Sequence, residues 1–168
     1  MVDNNGFSTP RFKGFEPFFD GGSKLLVLGS FPGVKSRENN FFYGNRLNRF
    51  WPMLGEFFGE KADSIEDKKA VLTRHGIALW DIVAECEISG SLDGNIRNYA
   101  VADLYRILGK AKIKKILVNG GKAFEIFCRH YPELADTALK MPSTSPANTR
   151  FDKKVWVEEL GKVCGDTN

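Results

Sequence analysis

Leu25-Leu26-Val27-Leu28-Gly29-Ser30-Phe31-Pro32-Gly33 is the stretch on which the reading of the fold turns. Four consecutive apolar residues without polar alternation mark a strand buried on both faces, as in a parallel sheet. The run ends in a segment rich in glycine and proline, a turn signal that closes the strand. Ile77-Ala78-Leu79-Trp80 and Ile116-Leu117-Val118 repeat the apolar pattern, and a short fourth strand is expected near residues 137–141. Each is followed by a polar or glycine-rich break: Asp81, then Asn119-Gly120-Gly121, then Pro142-Ser143-Thr144-Ser145-Pro146-Ala147-Asn148.

Helical patterns lie between the strands. Leu47, Phe50, Trp51, Leu54, Phe57 and Phe58 recur at helical spacing, with Asn48 placed as N-cap and Pro52 tolerable only in the first turn. A second helix is expected from Ser64 to about His75-Gly76, and a third carries Phe124, Phe127 and Cys128. The last runs from about residue 151 to 160 and packs Val155, Trp156 and Leu160. Asn98 is read as the cap of another helix, with Val101, Leu104, Ile107 and Leu108 on its inner face. Residues 34–46 and 85–97 are read as loops. Residues 1–21 are read as an N-terminal arm on a single domain spanning 1–168, anchored by Phe12, Phe15, Phe18 and Phe19, and 163–168 as a short tail. Strands alternating with helices imply right-handed crossovers and a mostly parallel sheet covered on both faces. The four breaks then converge on one sheet edge, where the ligand crevice of an α/β fold forms.

Composition narrows the chemistry. With 168 residues, 42% hydrophobic and 27% charged, the chain has globular composition, and 24 Lys and Arg against 21 Asp and Glu leave a formal net charge of +3. That charge permits a nucleic-acid partner without demonstrating one. Cys86, Cys128 and Cys164 are far apart and form no CxxC pair, so zinc-ribbon and iron–sulfur readings lack ligands. His75 and His130 are the only histidines, too few for a multi-histidine metal centre. No metal and no cofactor is expected. No run approaches the roughly 20 apolar residues of a membrane span. The odd cysteine count and the lack of a signal pattern point to a reducing compartment: cytoplasmic, and nucleoid-associated in a bacterium.

The turn after the first strand can be compared with a phosphate loop, since Gly29 and Lys35-Ser36 echo its ends. Val34 stands where the second required glycine should be, and Pro32 removes a backbone donor from the cradle. A nucleotide phosphatase would also require magnesium, with Asp81 as its ligand. This is the weaker match. Three segments together, Gly29-Ser30-Phe31-Pro32-Gly33, Phe42-Tyr43 with Asn48-Arg49-Phe50-Trp51, and Pro142-Ser143-Thr144-Ser145-Pro146, resemble the uracil-DNA glycosylase superfamily. Within it the chain is most similar to the hypoxanthine-DNA (deoxyinosine) glycosylase branch, over about residues 22–162.

The resemblance implies a three-layer α/β/α sandwich around a four-stranded, mainly parallel sheet. It also implies a monofunctional, metal-free enzyme of base excision repair. Such an enzyme extrudes deoxyinosine from double- or single-stranded DNA, as a monomer, and hydrolyses its N-glycosidic bond. Broader excision of uracil or xanthine is an alternative, and a non-catalytic sensor of damaged DNA is another. Asn48, Asp81 and Asn119 are the catalytic candidates. Gly29, Ser30, Phe31, Tyr43 and Asn45 are the base-binding ones, and Gly33, Ser143, Thr144, Ser145, Pro146, Ala147 and Asn148 the DNA-binding ones.

Two departures from the family stand out. Phe31 replaces the Asn that positions water in the mismatch-specific enzymes, and a phenyl ring cannot orient water by a strong hydrogen bond. Met141 replaces the His of the uracil enzymes' final motif. Several residues keep two readings. Tyr43 either stacks a flipped base or, with Phe41 and Phe42, pins a loop. Asp81 accepts the N1–H of hypoxanthine or stabilises sugar charge if ionised, donates to a purine nitrogen if neutral, or simply caps a turn. Asn48 and Asn119 share the water-positioning role without a choice between them. Asn148 is a base contact or the cap of the final helix. Backbone amides and hydroxyls of the Ser143-Thr144-Ser145 loop are expected to hold phosphates, with Pro146 and Ala147 as the wedge.

Overall fold

The three apolar runs and the short fourth strand pair as one parallel sheet. The computed structural model describes residues 10–165. In it β2 (Leu25–Gly29), β3 (Ile77–Asp81), β6 (Lys115–Asn119) and β7 (Ala138–Met141) lie in the order β3-β2-β6-β7, all parallel. Every residue of β2 and β3 is buried, which is why their sequences show no alternation. Helices α2 (Phe50–Phe58), α3 (Ile65–His75), α5 (Gly121–His130) and α6 (Lys153–Cys164) flank the sheet in a three-layer α/β/α sandwich.

The helix signals behave as physics predicts. Ser64 and Asp67 close a reciprocal capping box on α3, and Gly76 ends it with φ +67°. Asn48 lies one residue before the cap of α2, and its Oδ1 still accepts from the Phe50 N–H at 2.9 Å. Pro52 falls in the first turn, as required. α6 runs four residues past the expected end, to Cys164, so most of what was read as a tail is outside the described residues or helical.

Four expectations differ from the structure. The segment 85–97 is loop only in its middle, residues 88–96: its ends belong to β4 (Val83–Glu87) and β5 (Arg97–Val101), which pair antiparallel, and β1 (Arg11–Lys13) adds to β4 as a third strand. Asn98 therefore caps no helix. It sits in β5 with φ +50° and donates from Nδ2 to Glu87 at 2.5 Å, and the expected helix shrinks to α4 (Tyr105–Leu108). The N-terminal arm is partly strand, and residues 1–9 of it lie outside the described residues. Phe12, Phe15, Phe18 and Phe19 pack on the core, and Phe18 bridges to Leu79. Finally, the long segment after β2 contains α1 (Val34–Asn39).

Among the described residues no helix is long and apolar enough to cross a membrane.

Candidate active site

Strand register sets the geometry of the crevice. Gly29 pairs with Asp81 and Asn119 with Met141, while Leu28 and Val118 are the last partners of β2 and β6. The carboxyl ends of the four strands thus finish in one row, and a cavity of about 450 Å3 opens above it. All the residues singled out in the sequence line this cavity: Asn48, Asp81 and Asn119; Gly29, Ser30, Phe31, Tyr43 and Asn45; Gly33 and residues 143–148.

Asp81 and the buried hydroxyl of Tyr43 meet at the end of β2. Asp81 is 5% exposed, and a Cβ on Gly29 would lie 2.5 Å from its Oδ1 and 3.1 Å from Tyr43 Oη. Only glycine lets these groups approach the strand end so closely. Tyr43 is held in the left-handed region, at φ +54°, by its surroundings. α1 supplies that restraint: Ser36 Oγ accepts from the Gly44 N–H at 2.8 Å, and Asn39 Nδ2 donates to the Gly44 carbonyl at 3.0 Å. Phe41 and Phe42 do the pinning, with the Phe42 carbonyl accepting from Trp51 Nε1 at 2.9 Å. Tyr43 packs its ring on Phe50, centroids 4.5 Å apart, and lines the cavity. Tyr43 Oη and Asp81 Oδ2 are both buried and have no hydrogen-bond partner in the protein. Burial is costly for such groups, and a bound ligand is one way to complete them.

Their protonation follows from the same burial. Desolvation, with the nearby Asp93 carboxylate second, pushes the Asp81 pKa up to about 7. Desolvation and then Asp81 push the Tyr43 phenol well above its ordinary value, so it stays a neutral O–H. Asp93 was not foreseen, because nothing in the apparently irregular Ser91-Leu92-Asp93-Gly94 marks it. The structure brings it to the cavity by a 3-10 turn at Asp93–Asn95, where it accepts from Ser30 Oγ at 2.6 Å. Burial raises its pKa, against the Ser30 hydrogen bond and Lys122, which lower it.

The other wall is saturated. Asn119 Nδ2 donates to Thr144 Oγ1 at 2.9 Å, and its Oδ1 accepts from the Thr144 N–H at 3.0 Å. Its amide also faces the Tyr43 hydroxyl, without completing a hydrogen bond. Within the 143–148 loop, the Ser145 and Ala147 N–H groups donate to Ser143 Oγ and Ser145 Oγ, and Asn148 N–H to the Ser145 carbonyl. Asn148 Nδ2 closes the loop on the Ser143 carbonyl at 3.0 Å. Asp152, not Asn148, caps α6. Phosphate capture by the Thr144, Ser145, Ala147 and Asn148 amides is corrected accordingly, since each already has an acceptor, while the Ser143 and Ser145 hydroxyl hydrogens remain to donate. Arg49, quoted in the sequence motif but given no role there, braces the loop from the N-cap of α2: its N–H donates to the Thr144 carbonyl at 3.0 Å and its guanidinium to the Ser145 carbonyl at 3.1 Å.

Asn45 and Asn48 form one tight turn: Asn45 Oδ1 accepts from the Leu47 N–H and its carbonyl from the Asn48 N–H. Tethered to the start of α2, the Asn48 Oδ1 keeps a free lone pair in a fixed position. Phe31 is a buried wall residue packed close to Gly14. Among the described residues no three His, Cys, Asp or Glu side chains converge as a metal site.

Comparison with known proteins places the chain in a family and agrees with its fold. The family model of the Uracil DNA glycosylase superfamily matches residues 16–160. A protein named hypoxanthine DNA glycosylase from Methanosarcina acetivorans is 32% identical over 147 residues, covering 84% of this chain and 90% of that protein. One of the same name from Methanosarcina barkeri is 33% identical over 116 residues, covering 67% and 73%. A solution NMR structure from Methanosarcina acetivorans, provisionally named a uracil DNA glycosylase, superposes with a TM-score of 0.76 at 30% identity, covering 93% of this chain and 98% of that one. With its site at the strand ends and the match running almost end to end, the chain belongs to the uracil DNA glycosylase superfamily.

Proposed function

We propose that the protein is a monofunctional DNA glycosylase that excises hypoxanthine from deoxyinosine in DNA, acting as a monomer in the cytoplasm on double- or single-stranded substrate. The name shared by the two Methanosarcina relatives supports the substrate. The observation that carries the chemistry is the pair of buried, unpartnered polar atoms, Tyr43 Oη and Asp81 Oδ2, in a cavity sized for a flipped nucleotide.

Hypoxanthine presents acceptors at O6 and N7, the pattern guanine also shows, whereas adenine places an N6 amino donor on that edge. A neutral Asp81 and the Tyr43 phenol are two donors suited to two acceptors, and an adenine amino group would meet a donor instead. As the bond from the sugar to N9 breaks, its electron pair goes to the purine, which takes the proton of Asp81. One water adds to the sugar carbon and gives up a proton, restoring Asp81. Asn48 holds that water through the second lone pair of Oδ1, whereas both ends of the Asn119 amide are engaged with Thr144 in a buried contact that fixes the loop. Tyr43 stacks the extruded base, and Ser143 and Ser145 donate to phosphate.

The test is alkali-dependent cleavage of end-labelled DNA containing one deoxyinosine, uracil or xanthine, with EDTA present. Cleavage at deoxyinosine, lost in Asp81→Asn while the variant still folds, is the expected result. Equal cleavage at all three lesions would widen the substrate range. Binding without cleavage at any of them would leave a damage sensor.

A further inference from the structure

Extruding a base leaves a gap in the duplex, and a protein that holds the base outside needs an apolar group to fill the gap. The saturated 143–148 loop is poorly equipped for this, since its apolar members are only Pro146 and Ala147. Among the described residues, the large apolar side chains left most exposed are Leu47, at 64%, and Leu92, at 61%. Leu92 itself lines the cavity; Leu47 does not.

Leu92 is also held at both shoulders. The hydroxyl of Ser91 accepts from the Val34 N–H at 2.8 Å, and Asp93 accepts from Ser30 at 2.6 Å. Its own carbonyl accepts from the Asn95 N–H at 2.9 Å. Two arginines bracket the segment: Arg37 donates to the Gly90 carbonyl at 3.2 Å and Arg97 to the Gly94 carbonyl at 2.6 Å. Their positive charge suits a phosphate backbone passing over the segment. What sets Leu92 apart from Leu47, which is similarly exposed, is its place: an apolar side chain on an anchored backbone beside a base-sized cavity stands where a gap-filling group is needed.

We propose that Leu92 is the wedge: it enters the duplex as the lesion leaves and fills the emptied place in the stack. The inference rests on the glycosylase reading and adds a positioning residue to it. Leu92 has nothing to do in single-stranded DNA, where no partner strand closes the gap.

The test measures single-turnover excision by the full chain on three substrates. These are deoxyinosine opposite thymidine in a duplex, deoxyinosine in a single strand, and deoxyinosine opposite a pyrene nucleotide whose ring itself fills the gap. Leu92→Ala is expected to slow the duplex reaction by about tenfold or more and to leave the single-strand rate within about twofold. The pyrene duplex should restore most of the loss, Leu92→Met should stay near the unaltered rate, and Leu47→Ala should leave the duplex-to-single-strand ratio unchanged. Equal slowing of duplex and single strand by Leu92→Ala would overturn the wedge and make Leu92 a cavity wall. A ratio changed by Leu47→Ala instead would also overturn it. Failure of the unaltered protein on every substrate would overturn the glycosylase reading itself, a different result from either.

Discussion

The two sides of the cavity are built on opposite terms. Towards Thr144 both ends of the Asn119 side-chain amide are used, and the loop bonds to itself. Towards Gly29, Tyr43 and Asp81 keep buried polar atoms without partners. A saturated wall contributes stability and a fixed shape, whereas an unsaturated one costs stability in the free protein and is available to a ligand. Substitutions on the two sides should therefore separate stability from activity.

The largest effect is expected at Asp81. Asp81→Asn removes the proton that the departing purine takes, and excision should fall by roughly 10²–10⁴-fold in single-turnover assays. Stability should move the other way. The folded pKa of about 7 lies above the unfolded value near 3.8, so the folded chain holds a proton that the unfolded chain releases. Unfolding free energy should thus decline as pH rises through that window and level off above about 7, and Asp81→Asn should reduce the decline in denaturant titrations, leaving the smaller part that Asp93 contributes. Excision should likewise be lost as pH rises through about 7; a rate that climbs there would mean that the ionised form is the active one.

Next comes Asn119→Ala, which strands the Thr144 N–H in a buried loop. It should lower stability by about 1–3 kcal/mol in chemical denaturation, with activity falling through the displaced loop. A full loss of activity at unchanged stability would break the contrast between the walls.

Tyr43→Phe deletes a hydroxyl that binds nothing in the free protein. Its melting temperature should be unchanged or higher, while excision drops by about tenfold, the worth of one hydrogen bond. The smallest effect belongs to Asp93→Asn. Without that neighbouring carboxylate the Asp81 pKa falls, and the alkaline limb of the rate profile should shift to lower pH by less than about one unit. No shift would show that burial alone sets Asp81.

Local sequence carried much of this arrangement. A parallel strand covered on both faces must be apolar throughout, so Leu25-Leu26-Val27-Leu28 and its counterparts were recognisable and their ends located the crevice. The capping box of α3 is equally local, because both partners lie three residues apart. The small antiparallel sheet was not legible. β5 is polar, its pairing with β4 is irregular, and β1 reaches it from over 70 residues away, so only chain packing makes Arg97–Val101 a strand.

The residues of the site were named by their order along the chain, and their chemistry was decided by burial. The sequence alone determined that Gly29, Asp81, Asn119 and the 143–148 loop would share one edge, since apolar runs and breaks are properties of neighbouring residues. The tertiary structure alone decided that Asn119 is spent on Thr144, that Asp93 stands beside Asp81, and that Asp81 keeps its proton up to about pH 7. Solvent exclusion and distant charges set those outcomes, and both depend on which segments pack together rather than on which residues adjoin.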